Sequence, residues 1–277
     1  MFNQCASNMG FTQYDSHNLP VLADHVAIFV AYLSQSGYSP SSIVSYTSAL
    51  GYAHKLAGCE NPVASFLIQK MLAGVTRLSP SVDSRLPITT IILSSLINSL
   101  TSTVSNLYHR VLTRAMLVFS FYGLMRIGEI TSSKGDQPAI NLSQIQLTSN
   151  RVVVTISKFK HNLHRQPFQI VMPKQSDQSI CPVYAITNYL LLRGFQPGPL
   201  FCHPDGAPIS RAFFATKLKQ TLIFAGFNPA LYKSHSLRIG GASHYAELGY
   251  SDAQIRFLGR WKSDAFIRYI RSHRIHN

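Results

Sequence analysis

SHSLRIGGASHYAELG, residues 234–249, decides how the rest of the chain is read. His235 and Arg238 stand three apart where a helix over about 237–248 begins, so both face one side of it. Gly240-Gly241 follows, a pair without β-carbons that lets another backbone approach the helix closely. A helix start with unpaired N–H groups and a histidine and an arginine beside it suits an anion. Taken alone, HxxR reads as a satisfied structural histidine next to a surface arginine, so a functional meaning depends on the segments around it.

Downstream, LGRWKSDAFIRYIR, residues 258–271, holds the only tryptophan, Trp261, and sets Tyr269 between Arg268 and Arg271 on a helix expected at about 263–272. Phe266 and Ile270 lie on an adjacent face, so core packing competes as a role for Tyr269, one of 13 tyrosines. Upstream, FYGLMRIGEIT, residues 121–131, puts Arg126 just after an apolar helix over 106–124 and Glu129 one turn later. In isolation that is an exposed ion pair. Between them, RVVVTIS (151–157) and QPFQIVM (166–172) read as paired strands joined by the basic loop KFKHNLHR. Lys158 and Lys160 stand where the first strand enters that loop, and Arg165 closes it; alone this is a solvated turn.

The same patterning organises the whole chain. Leu22, Val26, Phe29, Val30 and Leu33 recur at helical spacing over 20–35, and Gly37 breaks the run. Ser39-Pro40 opens a second helix that Gly58 ends, and Asn61-Pro62 opens a third reaching about Leu72, before Gly74. LSPSVDSRLP (78–87) reads as a linker. Beyond it come helices at 88–100, 106–124, 182–193, 211–225, 237–248, 252–258 and 263–272, with the strand pair among them. The expected fold is mainly α with a small β-sheet (α+β): a helical bundle over 1–80 and a mixed domain over 84–277.

Charge divides at the same place. Residues 1–83 carry three Lys/Arg against four Asp/Glu, and the remainder 22 against seven, for a formal net charge of +14. An excess of that size calls for a polyanion, nucleic acid or an anionic membrane. No apolar run is long enough to span a bilayer, the N-terminus has no secretory pattern, and there is no amphipathic or lipidation signal, so nucleic acid is the better partner. Cys5, Cys59, Cys181 and Cys202 are scattered without a CxxC pair and read as reduced thiols. There is no carboxylate cluster of the kind a two-metal nuclease needs.

In chain order, Arg126, Lys158, His235, Arg238, Trp261 and Tyr269 resemble the catalytic pattern of the tyrosine recombinase (phage integrase) family: arginine, hairpin lysine, HxxR, His or Trp, then a nucleophilic tyrosine. The likeness covers nearly the whole chain, and the wording of SHSLRIGGA and GRWKSDAFIRYIR is most similar to DIRS-like and Crypton recombinases of eukaryotic mobile elements. It implies a core-binding (SAM-like) DNA-binding domain at 1–80 and a catalytic domain at 84–277 that cuts and rejoins DNA through a 3′-phosphotyrosine. Tyr269 would be the nucleophile, Arg126 and Arg238 the phosphate ligands, His235 the group managing the tyrosine proton and Lys158 the acid. Trp261 would wall the pocket, and Glu129 would orient Arg126 or His235. Lys160, Arg165, Arg260, Lys262, Arg268 and Arg271 would contact DNA. The implied partners are double-stranded DNA and further copies of the chain, as a tetramer, with no cofactor, no metal and no membrane. The implied location is the nucleus in a eukaryotic host and the cytoplasm otherwise. A type IB topoisomerase-like activity and a domesticated, non-cutting DNA-binding protein are the alternatives. Two features depart from the pattern. Many members place the His or Trp nine residues before the tyrosine, where this chain has Arg260, with Trp261 eight before; and only eight residues follow Tyr269, short for docking onto a neighbouring protomer.

The two hairpin lysines are separable by experiment. Lys158→Ala should abolish cleavage of an ordinary phosphodiester yet spare a substrate with a thiolate leaving group, which needs no proton. If Lys160→Ala shows that pattern instead, the acid is Lys160.

Overall fold

The computed structural model describes residues 19–78, 84–132, 140–157, 159, 162, 164–262, 266–267 and 270. The chain divides into two compact units, Met1–Asp83 and Ser84–Asn277.

In the first unit, α1 (Ala23–Gln35), α2 (Pro40–Leu56) and α3 (Phe66–Leu78) surround one small core. Val26, Phe29, Val30 and Leu33 of α1 meet Ile43 of α2 and Ile68 of α3. The Ser39 hydroxyl accepts from the Ser42 N–H at 3.2 Å with Pro40 at the first helical position, so the cap forms as its residues dictate. The third helix departs from expectation. Asn61-Pro62 opens only a 3-10 turn, Pro62–Ala64; the helix proper starts at Phe66 and runs through Gly74 to Leu78. Gly74 has open space where a β-carbon would be, and a glycine inside a helix costs only about 1 kcal/mol, too little to stop it.

The second unit is built round α5 (Leu107–Tyr122), in which every residue from Ala115 to Tyr122 is buried. A helix apolar on all sides must be enclosed on all sides. α4 (Thr90–Thr103), α7 (Pro182–Arg193) and α9 (Ser234–Glu247) enclose it, and α8 (Arg211–Phe224) packs on α4. The short α6 (Ile127–Ile130) follows α5, and α10 (Asp252–Leu258) follows α9. The sheet is antiparallel in the order β1 (Ile145–Leu147), β2 (Arg151–Ile156), β3 (Phe168–Pro173). β2 pairs with β3 so that Val152 opposes Met172 and Val154 opposes Ile170, and these four face the core. The period-two burial of β3 is what QPFQIVM encodes. β1 was not foreseen: three residues are too few to show alternation. Among the described residues no helix is long and apolar enough to cross a membrane.

α9 is seated by its two glycines. A β-carbon on Gly240 would land on the carbonyl of Ile88, and one on Gly241 would land on the carbonyl of Phe121. The extended segment before α4 runs along the start of α9, with Leu86 N–H donating to Leu231 O at 2.8 Å and Ile88 N–H to Ser236 O at 3.0 Å. α9 begins at Ser234, earlier than its apolar pattern suggests. The Ser236 hydroxyl accepts from the Lys233 N–H at 3.1 Å and closes that first turn.

These contacts set an expectation for stability. Gly240→Ala and Gly241→Ala should each destabilise the second unit by roughly 1–3 kcal/mol or more, since backbone must move. Gly74→Ala should stabilise the first by about 0.5–1 kcal/mol. Urea midpoints of the three variants against wild type measure both signs.

Candidate active site

The site is assembled where α5 ends. Gly123 follows Tyr122, and Leu124 then adopts φ 46, the left-handed region that costs a non-glycine residue roughly 1–2 kcal/mol. Its side chain is buried with Ala242, Tyr245, Ile255 and Phe266, which holds the turn in place. The turn presents the Leu124 carbonyl to two guanidiniums from distant segments. Arg238 donates to it through Nη1, and Arg260 through Nη2 at 3.0 Å.

Arg238 is 1% exposed, the largest fully buried side chain among the described residues. Its Nη2 donates to the Gly259 carbonyl, and its guanidinium lies 4.3 Å from the centre of the Trp261 ring. A desolvated cation over an indole face is held by roughly 2 kcal/mol. Gly259 leaves room for that ring: a β-carbon there would fall inside the indole.

Arg260 is 6% exposed and also left-handed, at φ 57. Its Nη2 meets Glu129 Oε2 at 2.8 Å, its Nη1 points at the Gly123 carbonyl at 3.4 Å, and its Nε is buried without a hydrogen-bond partner among the described residues. Burial pulls the guanidinium pKa down, the Glu129 carboxylate opposes that, and the charge on Arg126 adds to it. Glu129, 8% exposed, is the third residue of α6. Its Oε2 also accepts the Arg126 backbone N–H at 2.9 Å, and its Oε1 accepts Arg126 Nη1 at 3.0 Å. Arg126 keeps 25% of its side chain exposed. One buried carboxylate therefore joins two guanidiniums, rather than forming the exposed pair that RxxE alone suggests.

Arg238 and Trp261 are thus in contact, and Arg126 is linked to them through Glu129, Arg260 and the Leu124 carbonyl. His235 is half-buried on the first turn of α9, one turn before Arg238. Arg165 and Lys262 are exposed, Arg165 at φ 50. Arg260 is the correction. Expected on the DNA-facing surface, it is turned inward, because its left-handed backbone aims the side chain at Glu129 and the Leu124 carbonyl. Lys158, Lys160, Arg268, Tyr269 and Arg271 lie outside the described residues, but their neighbours do not. Phe159, between the two lysines, sits 6.0 Å from the Arg260 guanidinium. Phe159, Phe168, Phe257, Arg260, Trp261 and Lys262 line a cleft of about 180 Å³. Phe266 and Ile270, either side of Tyr269, pack in the cluster that buries Leu124. Sequence reasoning missed the Leu124 carbonyl and the part played by Gly259. No side-chain chemistry marks a backbone acceptor, and Gly123 was its one weak signal.

The model of the phage integrase family matches residues 92–274. The chain belongs to the phage integrase family. No curated protein matches it in sequence. Solved structures share its fold. A lambda integrase dimer bound to a COC′ core site aligns with 100% of this chain and 71% of its own, at TM-score 0.62 and 15% identity. XerH site-specific recombinase bound to palindromic difH substrate, a post-cleavage complex, aligns with 98% and 74%, at TM-score 0.67 and 15% identity. The Tn1549 transposon integrase, in complex with transposon right end DNA, aligns with 94% and 84%, at TM-score 0.63 and 13% identity. The mostly helical unit with its small antiparallel sheet is the fold it shares with these structures.

Trp261, as the sole tryptophan, reports on the site directly. Gly259→Ala should drive the indole off Arg238, shift its fluorescence emission to longer wavelength and lower stability by about 1–3 kcal/mol. An unshifted spectrum would mean that Gly259 does not hold the ring.

Proposed function

We propose that this integrase is an active site-specific DNA recombinase that cuts and rejoins DNA through a 3′-phosphotyrosine on Tyr269. The observation that carries the reading is the meeting of Arg126, Arg238 and Trp261 at the Leu124 turn, where Arg238 reaches a carbonyl 114 residues away in sequence. Two always-charged guanidiniums, fixed by carbonyls, a carboxylate and a ring face, are the preorganised donors that a phosphate gaining charge in attack requires. Donors of that kind are worth about 3–4 kcal/mol each.

In this reading the Tyr269 oxygen attacks phosphorus, the bond to the 5′-oxygen breaks, and the 5′-oxygen leaves with a proton from Lys158 while His235 takes the tyrosine proton. One phosphodiester replaces another, so bond energy is retained and no ATP enters the balance. Attack of a 5′-hydroxyl from another strand reverses the step and completes exchange. The positive second unit would grip backbone phosphates through Lys160, Arg165, Lys262, Arg268 and Arg271, with the salt dependence that entails. The near-neutral helical unit would be the core-binding, SAM-like DNA-binding domain. The lambda integrase structures described as a dimer on a core site and a tetramer on a Holliday junction support double-stranded DNA and self-assembly as the partners. The wording of residues 234–242 and 259–271 supports a DIRS- or Crypton-like mobile-element recombinase, acting in the nucleus if the host is eukaryotic.

With a suicide DNA substrate, wild-type protein should form a covalent adduct on a denaturing gel in the presence of EDTA. Tyr269→Phe should bind DNA and form none, and Arg238→Ala should lower adduct yield far more than affinity. An adduct that survives in Tyr269→Phe moves the nucleophile to another tyrosine. No adduct from wild type with binding intact means a domesticated DNA-binding protein, and relaxed circles without recombined junctions mean a topoisomerase.

A further inference from the structure

Arg260 stands where many members of this family carry a histidine or tryptophan, and it is a cation facing inward. Its guanidinium meets Glu129 Oε2 at 2.8 Å and the Leu124 carbonyl at 3.0 Å. The same carboxylate holds Arg126 through both the backbone N–H and Nη1. The same carbonyl holds Arg238. Arg260 is therefore tied to both proposed phosphate ligands through the acceptors they themselves use.

Charge gives this arrangement a purpose. Glu129 needs a counter-charge because it is buried. Were Arg126 its sole partner, the two would neutralise each other and leave little charge for a phosphate. With Arg260 on the buried side the trio carries a net positive charge, and that charge is available at Arg126, its more exposed member. The Arg260 side chain is 1% exposed and its Nη2 is shared between Glu129 and the Leu124 carbonyl, so it satisfies the carboxylate from within.

We infer that Arg260 is a positioning residue which balances Glu129 from the buried side, so that the charge of Arg126 stays free for the scissile phosphate. This rests on the recombinase reading above, and it replaces the role of DNA contact that the sequence suggests for Arg260.

The test is single-turnover adduct formation at saturating DNA, on an ordinary scissile phosphate and on a methylphosphonate, which has lost the negative charge that Arg126 would meet. Arg260→Met should slow the ordinary substrate by roughly 10²-fold, the scale for losing an electrostatic donor, and the methylphosphonate by only about threefold. Affinity for duplex DNA and its salt slope should stay near wild type, because Arg260 touches no phosphate. Adding Glu129→Gln removes the charge that Arg260 balanced, and the double variant should recover at least about tenfold on the ordinary substrate. A purely structural role would slow both substrates alike. Should Arg260→Met not fold, Arg260→Lys keeps the charge and should preserve the wild-type ratio of the two rates.

Equal loss on both substrates, no rescue by Glu129→Gln, or a lysine variant with an altered rate ratio overturns the inference. So does a salt slope reduced by about one, which would make Arg260 a phosphate contact after all. Wild type that binds DNA and never forms an adduct overturns the recombinase reading and this one together; wild type that cuts no faster than Arg260→Met overturns this one alone.

Discussion

The carbonyl of Leu124 accepts hydrogen bonds from two guanidiniums, and the arrangement of the site follows from that acceptor. A carbonyl oxygen has two lone pairs, so Arg238 from α9 and Arg260 from the turn after α10 can both be served. For the oxygen to face them, the chain leaving α5 must reverse sharply, which it does through Gly123 and a left-handed Leu124. Burial of the Leu124 side chain against Ala242 and Tyr245 makes that conformation the stable one. Strain of about 1–3 kcal/mol per residue persists only where the surroundings over-determine it, and Leu124 and Arg260 are two of three non-glycine residues with positive φ among those described.

Electrostatics sharpens the same point. Placing a carboxylate and two guanidiniums out of water is expensive, and a hydrophobic replacement of similar shape is often as stable or more so. The Arg126–Glu129–Arg260 trio is thus poorly explained as a device for holding the domain together. It is well explained as a way to fix one partly exposed cation at a set position while the balancing charges stay inside. Arg238 donates to two carbonyls and lies over the face of Trp261.

The rest of the second unit is the frame for this junction. α5, enclosed by α4, α7 and α9, delivers the turn at one defined place. The glycine pair of α9 lets its N-terminal half, with His235 and Arg238, come against both the end of α5 and the segment before α4. The sheet brings in the basic hairpin: Phe159 lies near Arg260, and Phe168 stacks 5.0 Å from Phe257 of α10. The chain that carries the lysines is thereby tied to the same cleft.

Much of this was legible in the sequence alone. The helical patterning, the Ser39-Pro40 cap, the strand pair and the close approach at Gly240-Gly241 are local matters of spacing, capping and side-chain volume, and they depend on neighbours a few residues away. The choice of Arg126, Arg238 and Trp261 as candidates rested instead on residue types and their order along the whole chain, which carry the family's pattern. Only the tertiary structure decided which way those side chains face. Arg260 reads as a surface cation until its left-handed backbone and the buried Glu129 turn it inward. Glu129 reads as an exposed partner until α5 and the turn after α10 enclose it, and the Leu124 carbonyl has no side chain to announce it. Charge balance and desolvation depend on groups more than a hundred residues apart in the chain. Folding alone brings such groups together, and periodicity in one segment carries no information about them.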